Sequence, residues 1–158
     1  MKKLKAWALR QIMELPDFVV GPVGDLYLKR WYIIPRNPVF NVYLHLFLRS
    51  DDDRALHDHP WLFNASYVLH GTYIERTIDA GGVHKSALRE PDAFKFRWGK
   101  SPHRVELLNT PKNAVVTLFF TGPVVRNWGF HCPGGWIPWR DFVTQRESGN
   151  ENGAGCGQ

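Results

Sequence analysis

His57-Asp58-His59 is the densest concentration of chemistry in the chain. Side chains two apart on an extended strand project to the same side. The two imidazoles therefore converge at a separation that suits a single metal ion. Pro60 and Trp61 follow and fix the local backbone. A third ligand must come from elsewhere, and His103 is the best candidate. It opens a strand directly after the turn signal Trp98-Gly99-Lys100-Ser101-Pro102. Three neutral imidazoles with open positions are the pattern of a reactive site and not of a closed structural one. The charge of the ion is left intact, so it can polarise a bound water or accept oxygen and a substrate.

Strands must position these residues. Val42 to Leu48 places four aliphatics on one face and Tyr43, His45 and Phe47 on the other. That is a strand buried on both faces or facing a cavity. Strand-rich stretches also cover 25–35, 62–76 (interrupted at Gly71), 93–98, 104–108 and 114–121, and Asp79-Ala80-Gly81-Gly82 is a hairpin turn. About eight short strands at regular spacing point to an all-β sandwich or closed barrel and away from alternating βαβ units. Before them, residues 3–14 carry Leu4, Trp7, Ala8 and Ile12 on one helical face, and Pro16 closes the helix, which lies within residues 1–15. Gly129 to Trp139 concentrates Pro, Gly and Trp and reads as an irregular, rigid segment. We expect one domain over 1–146, with the barrel and Trp-rich segment over 25–145. The Gly- and Asn-rich residues 147–158 are expected to form a mobile tail.

With 158 residues the chain suits one core, and its 7 Trp and 10 Phe need a deep interior or a lined pocket. The net charge of +5 comes from scattered residues, with no run longer than Lys2-Lys3, so no nucleic-acid footprint is evident. No stretch reaches the ~18 apolar residues of a membrane span, and no secretory leader is evident. Cys132 and Cys156 are expected to be free thiols in a reducing compartment, which places the protein in the cytoplasm.

His57-x-His59, followed by Asn64 and Gly71, resembles the first motif of the cupin superfamily, and 93–109 around His103 resembles the second more loosely. Arg49 to Trp61, His103-Arg104-Val105-Glu106-Leu107 and Trp128-Gly129-Phe130 with Cys132-Pro133 and Gly135-Trp136 are similar to a group of small cupin-like proteins of bacteria and phages without an assigned reaction. The resemblance implies an all-β cupin double-stranded β-helix, a jelly-roll barrel, with the short N-terminal helix outside it. It implies a site for one divalent metal at His57, His59 and His103, with Fe(II) ahead of Zn, Ni or Mn. Asn64 stands where the motif normally has Glu, as a neutral fourth ligand or a group behind the ligands. A three-His site without the carboxylate resembles that of the thiol dioxygenases. Such barrels often pair through edge strands, so a homodimer is expected.

His45, Tyr67, Tyr73, Trp128 and His131 are the pocket candidates, with Trp61 and Trp98 as further wall residues. Glu75 and Glu106 are carboxylates that a neighbouring strand can supply. Arg54 and Arg104 flank the ligands, and either recognises an anion or pairs with the nearby acids. Asp58 lies between the two ligands and points away. His70 and His84 are expected at the surface. The leading functional reading is an Fe(II)-dependent oxygenase acting on a small organic molecule. The alternatives are a non-catalytic ligand-binding or structural cupin, or a metal-independent sugar-type isomerase or epimerase, which needs a His–Asp pair and a Tyr across the cavity.

Overall fold

A computed structural model describes residues 2–21, 24, 26–51, 55–108, 114–142 and 156. It is built of antiparallel strands and one helix, α1 (Lys2–Gln11). In chain order the strands are β1 (Phe18–Val20), β2 (Leu28–Tyr32), β3 (Asn41–Phe47), β4 (Leu56–His57), β5 (Phe63–His70) and β6 (Tyr73–Ile78). They continue as β7 (His84–Arg89), β8 (Phe94–Trp98), β9 (His103–Leu107), β10 (Val115–Thr121), β11 (Gly129–Cys132) and β12 (Gly135–Pro138). They form two six-stranded sheets, ordered β1-β2-β3-β10-β5-β8 and β12-β11-β4-β9-β6-β7. Neighbours in each sheet are mostly distant in sequence, the crossover pattern of a jelly roll.

The central strands of the first sheet have two buried faces, as β3 does over Tyr43, Leu44, His45 and Leu46. On the outer face, Leu4, Trp7 and Ala8 of α1, with Ile12 just after it, pack against Trp31, Leu44, Leu46, Leu69, Val116 and Leu118. Ala8 is fully buried, so the helix sits as close to the sheet as a methyl group allows. The regular helix ends earlier than its apolar spacing predicts. Met13 and Glu14 bond back only three residues, to Arg10 and Gln11 (both 3.1 Å), the tightening common at helix ends.

The inner faces of the two sheets enclose the interior, and its two ends differ. At one end Val68, Tyr73, Val105, Leu107 and Val115 pack into a dry cluster with Phe47. At the other end the inward residues are polar: Asn41, His45, Asn64, Ser66, Glu75, Arg97, His103, Thr117 and Thr121 are all buried. The register groups part of this set: Asn64 lies opposite both Arg97 and Thr121, whereas Glu75, opposite Val105, stands at the border with the dry cluster.

Two expectations need correction. Gly129 to Trp139 is not irregular: β11 and β12 form a hairpin in register from Gly129↔Pro138 to Cys132↔Gly135. Pro133 and Gly134 make its turn, and Gly135 (φ +125°) supplies a backbone angle open to glycine alone. The cysteines are also not free: Cys132 and Cys156 form a disulfide across 24 residues, with Cα atoms 5.1 Å apart. Cys156 packs beside Phe130 and Phe142, so an apolar cluster holds the two thiols together. The rest of the expected mobile tail lies outside the described residues. The disulfide also removes the argument from free thiols for a reducing compartment. We predict that reduction, or Cys156→Ser, lowers unfolding free energy by about 2–4 kcal/mol. Urea titrations with and without reductant measure it, and an unchanged midpoint would count against the bond.

Candidate metal centre

His57 ends β4 and lies directly opposite His103, the first residue of β9. On its other side it faces Phe130 of β11. Cross-strand partners share a face, so the His57 and His103 rings meet inside the barrel with centroids 4.9 Å apart. His59 lies beyond the end of the ladder and returns to the same side, 5.1 Å from each of the other two rings. Its position is set by its backbone N–H, which donates to the Gly99 carbonyl (2.8 Å). One donor atom from each ring falls within 4.8 Å of the others, and the Nε2 atoms of His59 and His103 are 2.8 Å apart. These separations bracket the ~3.3 Å expected between imidazole donors on an ion with bonds of about 2.0–2.1 Å.

Protonation suits ligation. Burial, and then the Arg97 charge, hold the His103 pKa down to about 3. Burial, reinforced by His103 and His57, keeps His59 well below the usual histidine range. Both rings are therefore neutral near pH 7 and offer lone pairs. Two carboxylates stand behind the group. Asp51 Oδ2 lies 3.7 Å from His57 Nδ1, and Glu75 Oε1 lies 3.5 Å from His103 Nδ1. Neither contact is a hydrogen bond in this structure, and His103 Nδ1 has no partner, but both carboxylates stand on the Nδ1 side, where such a group can bias a ring's tautomer and turn Nε2 toward an ion. Asp51 is itself held by the Val105 N–H (2.7 Å) and by the Tyr27 hydroxyl. Glu75 accepts from Arg89 (2.8 Å) and from Arg97, which also donates to Ser66 (3.3 Å). Asn64 is fully buried, and both polar atoms of its amide lack a partner. Three converging imidazoles, two of them held neutral by burial, fit a bound cation.

Of the pocket candidates, Trp128 lies 6.2 Å edge-on to His57, and Trp61 lies tilted against His59 at 5.3 Å. His45 is buried between Tyr43 and Phe119, and accepts from Arg30 Nε (2.8 Å). The other candidates lie elsewhere. Tyr67 points outward, packs on the α1 side and donates to Asp92 (2.6 Å). Tyr73 belongs to the dry end. His131 lies one residue out of phase with Phe130, which puts it on the far face, 3.3 Å from Asp58. Trp98 is 56% exposed on the outside. Asp58 points away from the histidines and anchors the β11–β12 hairpin, with contacts from the Gly129 N–H (2.8 Å), Arg126 (2.7 Å) and Trp136 (3.1 Å). Arg104 pairs with Glu106 (3.1 Å), which also takes Arg76 (2.9 Å), away from the ligands. His70 and His84 are exposed. Arg54 lies outside the described residues. Sequence reasoning passed over Asp51 as a partner of His57, and the pairing of Glu75 with Arg89 and Arg97. Strand alternation puts Glu75 on the Tyr73 face, but only the fold shows what it meets.

No known family model matches the chain, and no curated protein matches it. Solved structures do. Hydroxypropylphosphonic acid epoxidase from S. wedmorenis superposes with a TM-score of 0.51 at 18% identity, over 68% of this chain and 57% of its own. An uncharacterised conserved protein with a double-stranded β-helix domain from Klebsiella pneumoniae gives 0.51 at 11% identity, over 72% of this chain and 90% of that one. The fold is that of the cupin double-stranded β-helix. A Thermus thermophilus protein, TT1209, gives 0.50 at 18% identity, covering 73% of this chain and 93% of that one. At these identities the likeness carries the cupin fold and no activity, and the chain spans little more than half of the epoxidase it matches. No helix among the described residues is long and apolar enough to cross a membrane.

Gly99 ties the cupin turn to the centre. A Cβ there would collide with the Trp61 carbonyl and crowd that of His59 (3.1 Å). We expect Gly99→Ala to cost about 1–3 kcal/mol by overpacking and to shift His59 away from its partners. A melting curve together with a metal titration reads both effects, and an alanine variant with unaltered metal affinity would show that this contact does not place His59.

Proposed function

We propose that the protein is a metal-binding cupin that holds one divalent ion through His57, His59 and His103. The best-supported use is Fe(II)-dependent oxidation of a small organic molecule. The convergence of three imidazole donors carries this reading. Support comes also from the partial exposure of His57 and His59, which leaves the group reachable from solvent. A solved structure of the same fold, the epoxidase, is described as Fe(II)-containing with a bound substrate. When bound, such an ion supplies Lewis acidity and one-electron chemistry. The chain's own residues do the rest. Asp51 and Glu75 orient the His57 and His103 rings. Trp61, Phe119, Trp128 and Phe130 surround the histidines with aromatic faces. The dry cluster keeps water from the far side.

A second reading, binding without turnover, is favoured by one observation. Among the described residues the donor group contains no carboxylate, and Asn64 is uncharged. The epimerase reading loses its geometry, since Tyr67 faces outward and Tyr73 is in the dry end. Elemental analysis of protein purified without added metal, followed by oxygen uptake of iron-loaded protein against thiols, acids and diketones, tests the proposal. We expect about one ion per chain and uptake with one substrate class. Bound metal with no uptake under any loading would leave the binding reading. No bound metal after loading would overturn both metal-based readings.

A further inference from the structure

The outer end of the barrel carries a cavity of about 660 Å³ between β2, β3 and the Pro60–Trp61 segment. Its lining includes Arg30, Arg36, Tyr32, Tyr43 and Trp61, and contains no Asp or Glu. The three histidines do not line it, but its Trp61 wall lies against His59, with ring centroids 5.3 Å apart.

The two arginines there have unusual surroundings. Arg30 lies in β2 opposite His45, so it points inward. Its guanidinium sits 4.8 Å from the Tyr43 ring and 5.9 Å from that of Phe18, and its Nε donates to His45 Nε2 (2.8 Å). Arg36 lies 5.5 Å over Tyr32. Neither forms an ion pair among the described residues, whereas Arg76, Arg89, Arg97, Arg104 and Arg126 all do. Asp17, one residue before Phe18, is taken up by the Tyr32 N–H (2.7 Å). Accepting from Arg30 leaves His45 with its proton on Nδ1. That nitrogen is buried, in a residue 3% exposed, and has no partner. His45 itself does not line the cavity, so its part there is to hold Arg30. The terminal nitrogens of Arg30 form a fork whose geometry matches two oxygens of one anion.

We propose that this cavity binds the anionic group, a carboxylate or a phosphoryl group, of the small molecule whose other end faces the histidine centre past Trp61. The proposal rests on the small-molecule reading above and names its substrate class. Arg30 supplies the fork, Arg36 adds a second positive charge at the rim, and Tyr32, Tyr43 and Trp61 hold the apolar body. His45 positions Arg30 by occupying its Nε.

Calorimetric titration with succinate and with methylphosphonate, at constant ionic strength, tests it, with succinamide as the uncharged control. Metal-stripped and metal-loaded protein are titrated in parallel. We expect one of the two anions to bind the stripped protein at millimolar concentration or below, and succinamide not to bind. Arg30→Gln should weaken that binding at least ten-fold and Arg36→Gln several-fold. Arg30→Lys keeps the charge without the fork and should fall between wild type and Arg30→Gln. Unchanged metal content and melting in these variants separates a lost contact from a lost fold. If Arg30→Gln does not fold, Arg30→Lys and Arg36→Gln carry the test. Binding that survives metal stripping supports the anion site even if the metal reading fails. Failure of both anions to bind, equal binding by Arg30→Gln, or equal binding of succinamide would overturn the proposal.

Discussion

Replacement of His103 by alanine is expected to lower metal affinity by about 100-fold or more. Groups that merely orient a ligand cost about 10–100-fold when removed, so loss of a ligand should exceed that range. His103 is the central member of the group. It is cross-strand partner to His57, it is 2.8 Å from His59 through Nε2, and it is the most buried of the three. Chelator competition with elemental analysis measures the loss. His57→Ala is the companion variant, because His57 is partly exposed and its removal disturbs less packing. Stoichiometric metal in both variants would place the ion elsewhere. If the melting temperature of wild-type protein drops sharply on metal removal, the ion is partly structural.

Glu75→Gln is expected to cost about 3–5 kcal/mol of unfolding free energy, the range for breaking a buried ion pair by removing one partner. Burial alone would raise the Glu75 carboxyl. The approach of His103 and the Arg97 charge outweigh it and hold the group well below the usual carboxylate range. The carboxylate is therefore ionised throughout the neutral range and balances Arg97, itself 4% exposed. Glutamine keeps the shape and removes the charge, leaving Arg97 and Arg89 without a counter-charge. The double variant Glu75→Gln/Arg97→Met should regain much of the loss, because an apolar replacement needs no partner. Urea unfolding of the four proteins closes the cycle. A single-variant cost under about 1 kcal/mol would mean that water already neutralises Arg97. Metal affinity should fall in the same variant, since the His103 ring loses the carboxylate behind it.

Much of the barrel was legible because strands announce themselves by alternation. The apolar and aromatic runs around Val42, Leu62 and Ala114 lie in β3, β5 and β10, and Gly71 marks the break before β6. The strand at His57 was read from the His-x-His spacing alone, since the two residues of β4 are too few to alternate, and β1, which exposes all three of its side chains, was missed. The β11–β12 hairpin was obscured by the Pro and Gly of its own turn. In the centre, the spacing of His57 and His59 was informative because it is local. What holds the rings was not local: Asp51, Glu75 and Arg97 come from three further segments, and their pairing depends on sheet order. Tyr67 and His131 failed as pocket residues for a simple reason. An aromatic on a strand has even odds of facing outward until the register is known. The disulfide was invisible because 24 residues must fold back before the two sulfurs meet.

The uneven filling of the interior also bears on traffic. The apolar plug of Val68, Tyr73, Val105, Leu107 and Val115 makes the barrel blind-ended among the described residues. Among the described residues, a guest at the histidines meets packed side chains on that side and would leave by the way it came. If the proposed small-molecule turnover holds, newcomer and departing molecule would compete for the open end, which would disfavour threading of long polymers and set up competitive inhibition by whatever leaves last.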